Sequence, residues 1–175
     1  MVGDSAAYMA HWASINLTMR ALTDPRIKPD PEQLVRMFSG RMIDQNDLLT
    51  GFMSIAPLYA APPELKAQAE VDVDEVLSTA MKPFWETCNA ATQCLSRYDM
   101  RDKLQDVKVP AFIYVGRHDW ITPVPCSEEM VEKLPNEKFV IYEKSGHLPT
   151  LEEKTAFQKD AREFIKTLDI PGIKP

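Results

Sequence analysis

Two residues stand where chemistry could be done: Asp119, in Gly116-Arg117-His118-Asp119-Trp120, and His147, in Tyr142-Glu143-Lys144-Ser145-Gly146-His147. A carboxylate hydrogen-bonded to an imidazole fixes the ring's tautomer and stabilises the imidazolium, which is the pairing that activates a nucleophile. Taken singly, an Asp after a strand is most often a turn or capping residue, and a lone His an ordinary packed or surface side chain. Position raises this pair above that background. Each residue lies just past the end of a segment that reads as a strand, and in open parallel sheets catalytic groups gather beyond the carboxyl ends of the strands.

The elements that must hold them follow from the pattern after Val107. Val109-Pro110-Ala111-Phe112-Ile113-Tyr114-Val115-Gly116 is a short continuous apolar run bounded by Pro and Gly, as expected of a buried strand. Residues 125–134 predict a helix, with Pro125 near its start and Glu128 and Glu129 early in it. Residues 138–142 predict a second strand. Residues 155–168 predict an amphipathic helix with Phe157, Ala161, Phe164, Ile165 and Leu168 on its buried side. Strand, helix, strand, helix at this spacing means a parallel sheet with a right-handed crossover.

The first half has a different grammar and reads as helices only. Residues 6–22 are apolar nearly all round, the mark of a helix covered by other protein. Asp30-Pro31-Glu32-Gln33 offers an N-cap, a Pro at the first helical position and a capping-box Gln, and Gly40 is placed to end that helix. Residues 44–59 predict another helix, followed by a turn at Ala61-Pro62-Pro63. Residues 76–95 carry a helical stripe interrupted at Pro83, where two helices should meet.

The stretch from Val109 to Leu168 resembles the C-terminal part of an α/β-hydrolase: the G-R-x-D turn at Gly116–Asp119, then S-G-H at Ser145–His147, then a closing helix. In that family these motifs carry the acid and base of a Ser–Asp–His triad, in that chain order. The segment from Tyr98 to Leu104 resembles the linker between cap and core. The whole chain looks most like the proline iminopeptidase group, in which a helical cap covers the active site and selects peptide N-termini. The resemblance implies a cap subdomain over residues 1–104 and the C-terminal part of the hydrolase core over 105–175, with Asp119 and His147 as catalytic residues. It implies no metal and no organic cofactor.

The family's nucleophile elbow, G-x-S-x-G on a strained turn between strand and helix, has no counterpart here. Gly3-Asp4-Ser5-Ala6-Ala7 is the nearest string, but only Met1 and Val2 precede it, so no strand leads into Ser5. Two strands alone would leave a long open edge. The expectation is therefore that an N-terminal half or a second chain supplies the serine and the remaining strands. Cys126 opens a helix, where a thiol pKa can fall, yet a small packed residue is the simpler reading. His118 reads as a solvent-facing turn residue and His11 as a cap residue. Glu70, Asp74, Glu75 and Glu86 are acids that could hold a substrate ammonium, though each also suits a solvated helix face. Phe84, Trp85 and Trp120 could line an apolar pocket or simply pack.

Composition narrows the class. With 20 Lys+Arg against 26 Asp+Glu, the net charge of −6 disfavours nucleic-acid binding. No apolar run reaches the roughly 20 residues that span a bilayer, and no basic and apolar leader opens the chain. Three cysteines close no disulfide framework and show no zinc-ligand spacing. A soluble cytoplasmic hydrolase component acting on a peptide or small molecule is the expectation. The alternatives are a non-catalytic interaction module of hydrolase shape, or a hydrolase fold recruited to non-hydrolytic biosynthetic chemistry.

Overall fold

A computed structural model of the chain describes residues 23–66, 90, 93 and 98–168. The helix expected over 6–22, the pair meeting at Pro83, and Ser5, His11, Glu70, Asp74, Glu75, Phe84, Trp85 and Glu86 lie outside the described residues.

Helix α1 (Pro31–Ser39) starts and stops where local chemistry directs. The Asp30 carboxylate accepts the Glu32 N–H at 3.0 Å, Pro31 stands at the first helical position, and Gly40 closes the helix at φ 64°. That left-handed conformation is open to Gly without the Cβ clash other residues meet. The capping box does not form. Gln33 is buried and turns instead toward α2 (Gln45–Ile55), its Nε2 donating to the Asp47 carbonyl at 3.1 Å and to Asp47 Oδ1 at 3.2 Å. A capping box would use the Gln33 oxygen as acceptor for the Asp30 N–H; the buried side chain instead directs its amide N–H groups to the Asp47 oxygens of the neighbouring helix.

Asp44 caps α2 by accepting the Asp47 N–H at 2.8 Å. The α-helix ends at Ile55, short of the expected Tyr59, and continues as a tighter 3₁₀ turn over Ala56–Leu58. Pro57 explains the change, because it has no N–H to give to the carbonyl four residues back. A short helix, α3 (Pro63–Lys66), follows the Pro-rich turn. The two helices α1 and α2 pack through Met37, Leu48, Phe52 and Ile55, and Trp120 from the second half of the chain joins the same cluster. Burying each such large side chain contributes about 1.5–3 kcal/mol.

The sheet has two parallel strands among the described residues, β1 (Ala111–Gly116) and β2 (Glu137–Tyr142), paired from Ala111 opposite Glu137 to Gly116 opposite Tyr142. β1 begins two residues after the predicted start, since Pro110 cannot donate to a ladder and Val109 is exposed. Side chains alternate in β1. Ala111 and Ile113 meet Met130 and Leu134, from α4 (Val124–Val131) and just beyond it. Phe112 and Tyr114 meet α6 (Lys154–Lys166), with Phe112–Phe164 ring centroids 5.6 Å apart and Tyr114–Phe157 at 4.9 Å. Helices thus serve both faces of one strand, which is why β1 reads as a nearly unbroken apolar run. Within α6, Phe164 is buried but Ile165 is 44% exposed, against the expectation for it. Between β2 and α6 lies the single-turn helix α5 (Pro149–Glu152).

Candidate active site

The two strand ends are drawn together by backbone hydrogen bonds. Arg117 N–H donates to the Tyr142 carbonyl at 2.8 Å and His118 N–H to the Ser145 carbonyl at 2.9 Å. The approach is so close that a Cβ on Gly116 would lie 1.9 Å from the Gly146 carbonyl oxygen. A Cβ on Gly146 would in turn lie 2.5 Å from the Tyr59 carbonyl oxygen. Glycine at both positions is a matter of space: the two loops, and the turn after α2, touch through bare backbone.

This approach brings Asp119 and His147 into contact. His147 Nδ1 and Asp119 Oδ2 are 2.9 Å apart, the Asp119 side chain wholly buried and the His147 side chain 21% exposed. Asp119 Oδ1 accepts the N–H groups of Ile121 at 2.8 Å and Thr122 at 3.1 Å, and Oδ2 also accepts the Thr122 hydroxyl at 2.9 Å. A buried carboxylate with no such donors would protonate rather than stay charged. Here three donors besides the imidazole hold the acceptor-only form. An ionised Asp119 therefore places the ring proton on Nδ1, leaving Nε2, across the ring, as the basic nitrogen.

The loop carrying His147 is held as firmly as the ring. His147 N–H donates to the Tyr59 carbonyl at 2.7 Å, and the Tyr59 ring meets the imidazole edge-on at 5.3 Å between centroids. Glu152, 2% exposed, accepts the Gly146 N–H at 2.8 Å with one oxygen and the Ala61 N–H at 2.6 Å with the other. Burial pushes the Glu152 pKa above the ordinary carboxylate value, against the backbone donors from Ala61, Gly146 and Leu148 that pull it down. Glu153 takes the other side of the loop, accepting the Lys144 N–H at 2.9 Å and the Ser145 hydroxyl at 2.6 Å.

Thr122, Tyr59 and Glu152 were not among the residues singled out from sequence. An Asp followed three residues later by Thr is a local pattern that points to Thr122. Nothing local points to Tyr59 or Glu152, whose contacts are made across the fold. Trp120 belongs to the core rather than to a pocket wall, being 5% exposed with its indole N–H donating to the Leu58 carbonyl. Cys126 is buried, and burial together with the nearby Glu129 and Asp119 charges pushes its thiol up to about 11, so the helix start does not activate it. His118 is half-buried, and its backbone takes part in the strand-end contacts above. Among the described residues no group of three His, Cys, Asp or Glu side chains is placed to hold a metal, and no helix is long and apolar enough to cross a membrane.

A two-faced parallel sheet with an Asp and a His on its adjacent strand ends, preceded by helices, is the C-terminal portion of the α/β-hydrolase fold. Solved structures bear this out: a hydrolase from Pseudomonas aeruginosa PA01 superposes with a TM-score of 0.63 at 17% identity, covering 94% of this chain and 54% of that one. An α/β fold family hydrolase from Bacillus anthracis str. Sterne gives 0.62 at 22% identity, covering 93% and 56%.

Curated relatives point the same way. The chain is 38% identical over 71 residues to the AB hydrolase superfamily protein YclE of Bacillus subtilis (strain 168), across 40% of this chain and 25% of that protein. It is 31% identical over 78 residues to a proline iminopeptidase of Clostridioides difficile (strain 630), across 45% and 26%. It is 26% identical over 139 residues to a pimeloyl-(acyl-carrier protein) methyl ester esterase of Vibrio cholerae, across 79% and 52%. The chain spans between a quarter and about half of the length of these relatives. No family model matches it.

Proposed function

We propose that this chain supplies the acid, the base and the substrate-selecting helical cap of a serine hydrolase. The nucleophilic serine would come from an N-terminal half or a second polypeptide outside these residues. The observation that carries the reading is the 2.9 Å contact between a buried Asp119 carboxylate and His147 Nδ1. In the reaction, the serine hydroxyl gives its proton to His147 Nε2 as its oxygen attacks the substrate carbonyl. Asp119 stabilises the imidazolium so formed, and His147 then protonates the leaving group. Water repeats the sequence to release the acyl group. Residues 1–104 act as the cap and 105–175 as part of the core.

The substrate class is an amide or ester, with a peptide N-terminus favoured. Support comes from the resemblance to the proline iminopeptidase group and from one relative bearing that name, set beside another named as a methyl ester esterase. The test is labelling of the purified native protein by a fluorophosphonate, read by intact mass, followed by turnover of proline amides against simple esters. Uptake of the probe on a serine of a co-purifying or contiguous segment is the expected result. A 19.9 kDa chain that stands alone, folded and unlabelled, or a His147→Ala variant with unchanged turnover, would overturn the reading.

A further inference from the structure

We infer that Glu152 is a positioning residue for His147, fastening the loop that carries the base to the Tyr59–Ala61 turn of the helical layer. Two rungs join the loop and the turn. One is direct, from the His147 N–H to the Tyr59 carbonyl at 2.7 Å. The other runs through the Glu152 carboxylate, whose oxygens take the N–H of Ala61 at 2.6 Å and of Gly146 at 2.8 Å. Gly146 has no room for a side chain against the Tyr59 carbonyl, so the spacing between the rungs cannot relax by sliding. The backbone leading into His147 Cα is thereby fixed, and with it the direction from which the ring approaches Asp119.

The energetics suit a positioning role better than a stabilising one. Glu152 is 2% exposed, and no cation among the described residues pairs with it. A buried carboxylate served only by amide donors pays heavily for lost hydration. Its neighbour Glu153 is the internal contrast, since its carboxylate takes hydrogen bonds from Lys144 and Ser145 within the same loop and none from the helical layer among the described residues. A misplacement of the base by about 1 Å is enough to cost roughly 100-fold in rate.

The catalytic half of this inference rests on the hydrolase reading, whereas the geometric half does not, and the test separates them. Proton NMR of the whole protein reads the low-field Nδ1–H of His147, assigned by its loss in Asp119→Asn. Glu152→Gln should remove or shift that resonance in a protein that still unfolds cooperatively, while Glu153→Gln leaves it in place. In the assembled enzyme, Glu152→Gln should lower kcat about 100-fold with KM within about twofold. If Glu152→Gln does not fold, Glu152→Asp carries the test, keeping the charge but too short to span both N–H groups. A wild-type resonance and kcat in the Gln variant, or in the Asp variant standing in for it, would overturn the inference. A shifted resonance in a protein that hydrolyses nothing would uphold the positioning and remove the hydrolase reading instead.

Discussion

Of the carboxylates that gather donors among the described residues, Asp47 between the helices α1 and α2 and Glu152 in the loop layer of His147 are moved in opposite directions by their surroundings. Asp47 takes two hydrogen bonds from the Arg36 guanidinium, at 2.8 and 3.0 Å, and also serves Gln33 and the Ile43 N–H. The guanidinium beside it holds its pKa well below the usual range. Glu152 has amide donors alone, and its burial wins, pushing the pKa up. A lowered value in the folded state means that ionisation adds stability, present above the ordinary 3.8 and lost as the pH falls through the folded value. A raised value means the reverse: the charge costs stability at neutral pH, and that cost fades as the pH falls toward the ordinary 4.5. The helical layer uses a carboxylate to hold itself together, and the strand ends accept one that costs stability in order to hold a loop still.

If the strand ends are the reacting region, the largest effect comes from removing either member of the Asp119–His147 pair. His147→Ala and Asp119→Asn should each lower kcat/KM by about 10³–10⁴-fold in the assembled enzyme, with far-ultraviolet circular dichroism unchanged. Next comes Gly116→Ala, where the new methyl meets backbone that cannot swing aside. A loss of about 3 kcal/mol in urea unfolding is expected. An equal loss from Gly40→Ala, whose φ of 64° sets a cost of only about 1–2 kcal/mol, would erase the contrast in rigidity between the two regions.

Smaller still is Asp47→Asn, which should lower the melting temperature by a few degrees at pH 7. The gap between variant and wild type should shrink as the pH drops below 3.8, where Asp47 of the unfolded chain takes up a proton that the folded carboxylate still resists. A gap that persists unchanged to pH 2 would mean that shape rather than charge joins α1 to α2. The mildest expectation concerns Cys126: with its thiol pushed up to about 11, iodoacetamide at pH 8 should modify it only after unfolding. Rapid alkylation of the native protein would show the region below Asp119 to be far looser than its hydrogen bonds imply.

How much of this could be read from the chain depends on where each signal lies. β1 was legible because Pro110 and Gly116 bracket an apolar run covered on both faces, and the Asp–His pair because each residue lies in the loop just past the end of a strand. The caps of α1 were legible because an N-cap Asp and a C-terminal Gly act on the nearest few residues. Gln33 defied its local motif because the acceptor it prefers, on Asp47, belongs to another helix. Ile165 continues the apolar stripe of α6 but sits at the stripe's margin, where periodicity alone does not separate covered from open. Tyr59 and Glu152 were invisible for the same reason as Gln33: their partners lie 88 and 91 residues away in the chain for the pairs His147–Tyr59 and Glu152–Ala61.

The Trp120 indole donates to the carbonyl of Leu58, one residue before the turn that receives His147, and that fact bears on how such a protein can diversify. A lid attached only at its hinges could be exchanged wholesale between relatives. The helical layer here shares the Trp120 side chain and three backbone atoms of residues 58–61 with the strand ends, so those residues are tied to the sheet, as part of its chassis. If the helical residues form the proposed cap, change in substrate preference is free to accumulate on its outer helices, while the stretch from Leu58 to Ala61 is held to the geometry of the strand ends.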